Sequence, residues 1–438
     1  MSALVSDARP AMLASRPDAV MSTVVSEADK PMNLSRNDCL ALDAADPLAP
    51  FLGRFHRPPG LLYFDGNSLG MLSREARRRA METVEREWGE GLIESWTAAN
   101  WIDLPEKVGG KIAKLIGAHE DEVVAADSTS INIFKLLAGA LKLRPGRRVI
   151  LTEAGNFPTD IYMAEGLAHL TGDVEVRLAD DIAAAITEDV AVVLATHVDY
   201  RSAALHDMAA VTAAAHAKGA LIIWDLSHSA GAVPVDLGKA DFAVGCGYKF
   251  LNGGPGAPAY LHVARNWQKA FAQPLSGWLG HAAPFAFEPH YRPASGIKRA
   301  ICGTPSVIAM SILDSSLDLL LEAGIERIHA KAQRLMDLFA GLMDARCASA
   351  GLKLISPRDH RRRGSHLSYS HPHGYELTQV LRERRVVPDF RAPDLIRFGF
   401  TPLTMSYADV WDAVDRFAAI WHEGAWRDPR HAVKAAVT

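Results

Sequence analysis

The sequence predicts an α/β protein: a mostly parallel sheet with helices on both faces, followed by a smaller α+β region. Three observations carry this. Between residues 66 and 305, short apolar runs bounded by Gly, Asp and Pro alternate with segments of helical period. Several of those runs, at 190–195 and 221–224, are continuously apolar rather than alternating, as in strands covered on both faces. Beyond residue 306 the pattern changes to longer helices separated by short strands.

The elements follow in order. Residues 1–36 are rich in Ala, Ser, Asp and Pro, and lack both a secondary-structure period and the apolar run of a secretory signal. They read as a disordered extension, with Met12, Met21 or Met32 as alternative starts. From Asn37 the pattern is ordered, and residues 37–65 read as a segment packing on the C-terminal domain. A strand at 61–65 leads into the loop Gly66-Asn67-Ser68-Leu69-Gly70, and a helix follows over 74–88. Trp96 and Trp101 precede a strongly helical stretch at 104–116. The strand at 123–127 runs into Ser128, Thr129 and Ser130, with a helix behind them at 133–141. Further strands fall at 149–151, 174–178, 190–195, 221–225 and 242–244, with a helix at 208–218. After 263 the chain is irregular and contains GWLGH (277–281) and CGTP (302–305). A helix over 307–321 then bridges to strands at 352–355, 366–369 and 395–400. The expected division is a large domain over 66–305 and a small one over 306–438.

The chain has 438 residues and a net charge of −4. It is long enough for two or three domains and carries no basic bias, so nucleic acid is not an expected partner. No apolar run reaches the length of about 18 residues that a membrane span needs. Cys39, Cys246, Cys302 and Cys347 are far apart, which fits reduced thiols in a cytoplasmic protein and no zinc site.

The chemistry gathers in 221–251. Leu221-Ile222-Ile223-Trp224 ends on Asp225, His228 follows, and the next apolar run leads into Gly247-Tyr248-Lys249. Ligands of open α/β sheets sit at the carboxyl ends of the strands. An acid at one strand end and a lysine after the next suit pyridoxal 5'-phosphate (PLP): the amine binds the cofactor aldehyde and the carboxylate keeps the pyridine nitrogen protonated. The plainer reading is a capping Asp and a surface Lys. The setting of Lys249 favours the first, because glycine-rich and apolar flanks let backbone approach a ligand and desolvate the amine. Hydroxyls at the start of the 133–141 helix suit a phosphate, or are an ordinary cap. Phe157 suits a stack on a flat ring, or is core.

Five stretches, FPTDIYMAEGLA (157–168), DLSHSAGAVPVDL (225–237), GCGYKFLNGGPGAPAYL (245–261), GWLGH and ICGTP (301–305), resemble the kynureninase family of fold type I, class V aminotransferase-like PLP enzymes. The likeness runs from about residue 37 to 425. It implies hydrolytic Cβ–Cγ cleavage of L-kynurenine or its 3-hydroxy form, giving anthranilate or 3-hydroxyanthranilate and L-alanine. That places the chain in tryptophan catabolism by the kynurenine pathway and in NAD biosynthesis. By the same resemblance Lys249 carries the cofactor and Asp225 pairs with its ring nitrogen. Ser128, Thr129 and Tyr248 meet the phosphate, Phe157 stacks on the ring, and Asp160 and His228 complete the shell. Trp278 and Thr304 complete the site from a neighbouring subunit, which implies a homodimer. Arg397 holds the substrate carboxylate, His281 and Trp278 border the aryl pocket, and Tyr248 is a candidate proton shuttle.

The chain departs from the family pattern at Asp199-Tyr200-Arg201-Ser202-Ala203, where Asn is expected before the Tyr and Thr-Gly after it. Thr304 stands where animal members place Asn, which points to kynurenine over its 3-hydroxy form. Two rivals remain at this stage. One is another enzyme of the same superfamily, a cysteine desulfurase or a class V aminotransferase; a desulfurase needs a mobile cysteine, and neither Cys302 nor Cys246 has such a setting. A non-catalytic regulator would be expected to lose Lys249 or Asp225 and to gain a DNA-binding appendage.

Overall fold

The computed structural model describes residues 34–434. Its centre is a seven-stranded sheet. Reading across it, the strands are Val123–Ala125, Tyr260–Val263, Phe242–Gly245, Leu221–Asp225, Val190–Thr196, Val149–Glu153 and Glu175–Ala179. Phe242–Gly245 and the four strands after it run parallel, and Tyr260–Val263 is antiparallel to both its neighbours. Every residue of Val190–Thr196 and Leu221–Asp225 is buried. That is why these strands read as unbroken apolar runs: helices cover both faces. The one aromatic among them, Trp224, is fully buried and donates its indole N–H to Thr212 Oγ1 at 3.1 Å.

The expected parallel α/β architecture is therefore present, with helices such as Thr129–Leu143, Pro158–Thr171 and Met208–Ala217 between the strands. Two smaller sheets accompany it. An antiparallel sheet joins Asp389–Arg391, Leu395–Gly399, His366–Ser370 and Lys353–Leu354. A second pairs Leu62–Tyr63 in parallel with Val386–Val387, so the predicted strand at 61–65 joins the far end of the chain.

The apolar clusters follow the sheets. Cys39, Leu62 and Phe64 pack with Phe339, Phe398 and Phe417 under the antiparallel sheet, whereas Leu48, Phe51 and Phe55 pack with the core of the large one. Helix Val307–Ala323 sends Leu313 and Leu317 into the large core, and the next helix, Ile325–Arg346, sends Leu335 and Phe339 into the other. Buried polar contacts reinforce this. Asp43 accepts from the N–H groups of Tyr407 and Ala408 at the start of helix Tyr407–Glu423, and Lys331 pairs with Asp46 at 2.7 Å.

Two expectations need revision. The helix foreseen over 74–88 is α-helical only over Arg74–Glu82 and continues as a wider π-turn over Thr83–Trp88. There Thr83 is buried and its hydroxyl donates back to Arg79 O at 2.9 Å, a contact that competes with the regular backbone ladder. The expected extension over 1–36 lies outside the described residues up to residue 33. Ser35 and Arg36 are ordered: Ser35 caps helix Arg36–Ala44, with Asp38 returning the bond to the Ser35 N–H at 2.8 Å.

Candidate active site

Asp225 and Lys249 both stand past carboxyl ends of neighbouring parallel strands, Asp225 as the last residue of Leu221–Asp225 and Lys249 four positions beyond Phe242–Gly245. Lys249 Nζ lies 3.1 Å from His228 Nε2 and 5.8 Å from the centre of the Phe157 ring. His228 is buried, and burial first and the Lys249 charge next hold it well below the ordinary imidazole range, so it is neutral. The Asp225 carboxylate accepts the Ser227 N–H at 2.7 Å. Burial raises its pKa against the opposing pull of Ser227 and Lys249. Asp160 is 1% exposed, and its Oδ2 has no hydrogen-bond partner. Burial first, and then the Asp225 charge, push it well above the usual carboxylate range. Two buried carboxyls thus share one amine, and among the described residues Asp160 Oδ2 is left without a donor. Phe157 opens helix Pro158–Thr171, and its backbone is fixed by Asn156 Oδ1 at 2.6 Å. Asn156 is held in turn by Thr152 and Thr196, which sit at two strand ends.

The helix behind the second strand begins earlier than its apolar period suggests, at Thr129, with Ser128 as its cap. Its free N–H groups and the Thr129 hydroxyl, a buried Oγ1 without a partner among the described residues, are suited to an anion. Asp127, at φ +49°, pairs with the fully buried Lys135, which also donates to Ala300 O at 2.8 Å.

Arg397 enters from the middle of strand Leu395–Gly399 and is 1% exposed. Its Nε donates to Asp389 Oδ1 at 2.7 Å, its Nη2 to Asp389 Oδ2, and its Nη1 to Tyr200 O at 2.6 Å. The Tyr200 ring meets Phe157 edge-on at 5.2 Å. The divergent loop thus stands between Arg397 and Phe157. Asp199 Oδ1 closes it on itself, accepting from the Ser202 N–H and hydroxyl, both at 2.5 Å.

Lys249, Tyr248, His228, Phe157, Asp160, Asp225 and Arg397 are therefore linked by contact or by charge. Trp278, His281 and Thr304 are not: among the described residues they make no hydrogen bond or ring contact with that group. Trp278 is half-exposed and meets Phe285 edge-on at 5.7 Å. His281 is buried in its own loop, accepting the Ala283 N–H on Nδ1 at 2.9 Å and lying 5.9 Å from Tyr291. Thr304 is exposed, and Cys302 beside it is drawn against Gly277, whose α-carbon faces Cys302 O. One base connects the two loops to the anion site, since Lys135 binds Ala300.

Sequence reasoning passed over Asp389, Asp65, Ser68 and Asn156. Asp389 had a signal: 389–391 and 395–399 form an antiparallel hairpin whose register sets Asp389 opposite Arg397. Ser68, 321 positions earlier than the Asp389 it donates to at 3.0 Å, had none.

The unpartnered atoms suit one kind of guest. An anion fits the Thr129 hydroxyl and helix N-terminus, a ring N–H fits the paired carboxyls Asp225 and Asp160, and an aldehyde fits the Lys249 amine. PLP carries all three. Comparison with known proteins agrees. Residues 328–417 match the model of the kynureninase C-terminal domain family. A kynureninase of Burkholderia mallei (strain SAVP1) is 50% identical over 414 residues, 92% of this chain and 100% of that protein. A kynureninase of Pseudomonas fluorescens is 48% identical over the same shares. Among solved structures, the apo cysteine desulfurase of Thermococcus onnurineus NA1 has a TM-score of 0.69 at 18% identity, over 83% of this chain and 94% of that one. A mutant of C-DES, with glycine covalently linked to its PLP cofactor, has a TM-score of 0.72 at 16% identity, over 82% and 97%. Those structures share the fold alone, whereas half-identity along nine-tenths of the length reaches further: the chain belongs to the kynureninase family of PLP-dependent enzymes.

Proposed function

We infer that this enzyme hydrolyses the Cβ–Cγ bond of L-kynurenine, giving anthranilate and L-alanine, and that 3-hydroxy-L-kynurenine is the weaker substrate. The observation that carries the reading is that Lys249, Asp225 and Arg397 share one buried site: an amine to hold the cofactor, an acid for its ring nitrogen, and a guanidinium for an α-carboxylate. PLP, when bound, supplies the electron sink that makes Cα–H acidic and accepts the electron pair on C–C cleavage.

The rest falls to the protein. Arg397 meets the substrate carboxylate with a planar fork and so orients Cα toward Lys249. Once displaced by the substrate amine, the Lys249 amine is free to take the Cα proton. Neutral His228, beside that amine, accepts a hydrogen bond without competing for charge. Tyr248 is pushed well above the ordinary phenol range, first by burial and then by Cys246, so it keeps its proton at neutral pH. It acts as the acid when water adds to the side-chain ketone and recovers its proton from the hydrate as the anthranilate carboxyl departs. Ser128 and Thr129 hold the phosphate, Phe157 covers the ring, and Asp160 and His228 complete the shell. Trp278 and His281 border the aryl pocket, and Trp278 and Thr304 reach the site of a partner subunit in a homodimer. Half-exposed Trp278 and exposed Thr304 support that assignment. A desulfurase reading has no such support, because burial pushes the Cys302 thiol up, away from a reactive thiolate.

We further propose that residues 66–305 form the cofactor-bearing domain and 306–438 a smaller one closing on it, with 37–65 packing on the latter through Cys39, Leu62 and Phe64 and on the former through Leu48, Phe51 and Phe55. The expected setting is cytoplasmic tryptophan breakdown; among the described residues no helix is long and apolar enough to cross a membrane. The test is anthranilate fluorescence with stoichiometric alanine from PLP-loaded enzyme and L-kynurenine. Silence with both substrates, while the visible absorbance of the lysine-bound cofactor is normal, overturns the substrate. Lys249→Ala is expected to abolish that absorbance, and a surviving band removes Lys249 from its role.

A further inference from the structure

Arg397 arrives at the site with one edge already filled. Asp389 takes its Nε and one Nη2 hydrogen, and Tyr200 O takes one from Nη1. The second Nη2 hydrogen points away from Asp389 and donates to Ser68 Oγ at 3.4 Å, a long contact that a docking carboxylate can replace, and the second Nη1 hydrogen also points away from Asp389. Asp389 is itself 1% exposed, receives Ser68 Oγ at 3.0 Å and Arg391 Nη2 at 2.9 Å, and so is held from three sides. One further acid belongs to this group. Asp65, three positions before Ser68, has a buried Oδ1 with no hydrogen-bond partner.

The charges balance before any substrate arrives. Arg397 and Arg391 both pair with Asp389, and Asp65, on the turn whose Ser68 donates to Asp389, feels the charge of all three, giving two positive and two negative groups. The other titratable neighbours add little. Tyr63 stays a phenol, raised by burial first and then by Asp65, with Arg382 pulling the other way. On the cofactor side Lys249 is the charged group, 3.1 Å from His228, and it is the amine that would hold the cofactor in the loaded enzyme; His228 and His366 are neutral, and burial first, and then Arg397, bring His366 down to about 3. A carboxylate added on the open edge of Arg397 therefore leaves one uncompensated negative charge in a buried cluster, which is costly.

We propose that Asp389 and Asp65 are positioning residues of the substrate clamp: Asp389 fixes the Arg397 guanidinium by its Nε edge, and Asp65 takes up one proton when a carboxylate docks on the opposite edge. This rests on Arg397 being the carboxylate clamp. Asp65 is suited to it, since burial first and then Asp389 raise its pKa to about 6. Free enzyme at neutral pH holds it ionised, and a third acid charge nearby raises it further, so docking draws a proton from solvent.

The probe is 4-oxo-4-phenylbutanoate, which has the substrate's carboxylate and ketone but no α-amine. Its binding to PLP-loaded enzyme is followed by calorimetry between about pH 6 and pH 8, in buffers of different ionisation enthalpy. Wild type is expected to take up close to one proton at the upper end, with Kd rising about tenfold per pH unit there. Asp65→Asn, already neutral, is expected to take up none and to hold Kd nearly constant; the cofactor's own titrations remain in both and cancel in the comparison. Proton uptake that is absent in wild type, or unchanged in Asp65→Asn, overturns the role of Asp65. Asp389→Asn is expected to raise Kd more than tenfold with unchanged visible cofactor absorbance, and an unchanged Kd removes Asp389. The carboxamide of the same probe separates the two layers. If acid and amide bind equally, Arg397 is not the clamp and the proposal falls with it; if the acid is preferred without proton uptake, only Asp65 is wrong.

Discussion

Gly70 donates its backbone N–H to Tyr248 O at 2.8 Å, so the loop after the first strand is seated directly on the loop that carries Lys249. A β-carbon at position 70 would stand 2.5 Å from Lys249 O and 2.7 Å from the Asn252 α-carbon. These are backbone atoms and cannot swing aside. Gly70→Ala is expected to cost about 1–3 kcal/mol, as overpacking does, and to loosen cofactor retention by displacing the lysine loop. Gly53→Ala, where nothing lies within 4 Å of the added carbon, is the control. Equal urea midpoints and equal cofactor content for the two variants would contradict the contact.

Ala203 closes the divergent loop at φ +65°, a conformation that costs an L-residue about 1–2 kcal/mol. Its methyl is fully buried, and burial of one carbon offsets about 0.8 kcal/mol of that strain. Ala203→Gly is therefore expected to leave stability unchanged or to raise it by up to about 1 kcal/mol. A truncated buried methyl ordinarily loses stability, so a clear fall in the unfolding midpoint would show that the strain is absent. The turn bonds of Asp199 do not involve the methyl and should survive.

What the sequence disclosed divides along a physical line. Asp225, Lys249 and Ser128 are legible because strand ends and helix caps are local: an apolar run stops, a turn begins, and the first polar residue faces the ligand edge. Phe157 comes within the same short-range logic, whereas Asp160 is singled out only by the family resemblance. The Arg397 environment is not local. Asp65 and Ser68 reach it across more than 300 positions, because Leu62–Tyr63 pairs beside Val386–Val387, and no periodicity reports such a pairing. Only Asp389 was within reach, through the hairpin register that faces it to Arg397. The π-turn over Thr83–Trp88 was hidden for another reason: its residues keep an ordinary helical pattern while a buried hydroxyl alters the ladder.

Removing Arg397 should have two separable effects. Asp389 is 1% exposed, and Arg397→Ala strips it of its bidentate partner, a change that costs about 3–5 kcal/mol in buried pairs. The same change removes the proposed substrate clamp and is expected to raise KM at least tenfold. The double variant Arg397→Gln with Asp389→Asn removes both members of the bidentate pair, at the cost of the Arg391 contact to Asp389. It is expected to recover part of the lost stability while KM stays high. If KM returned with stability, the effect of Arg397 on substrate would be indirect.

Far from this site, Glu122 links the segment before strand Val123–Ala125 to the end of strand Tyr260–Val263. Its carboxylate accepts the N–H of Arg265 at 2.8 Å and of His119 at 3.0 Å, with His262 Nε2 at 3.6 Å. Burial alone would raise its pKa, but the His262 contact and the two backbone donors outweigh that and bring it to about 2. A carboxyl depressed on folding adds stability that is present above the ordinary Glu pKa and lost as pH falls through the folded value. The full difference corresponds to at most about 3 kcal/mol at neutral pH, and screening by nearby solvent lowers that figure. Glu122→Gln is thus expected to be less stable than wild type by about 1–2 kcal/mol at pH 7, the lower figure applying if the amide keeps one backbone bond. By about pH 3 the gap should shrink to under half, because the unfolded wild-type chain has by then taken up the proton that the folded carboxylate still resists. Urea unfolding of both proteins across that window measures it. A gap that stayed constant from neutral to acid pH would mean that packing, not the ionised carboxylate, holds this corner together.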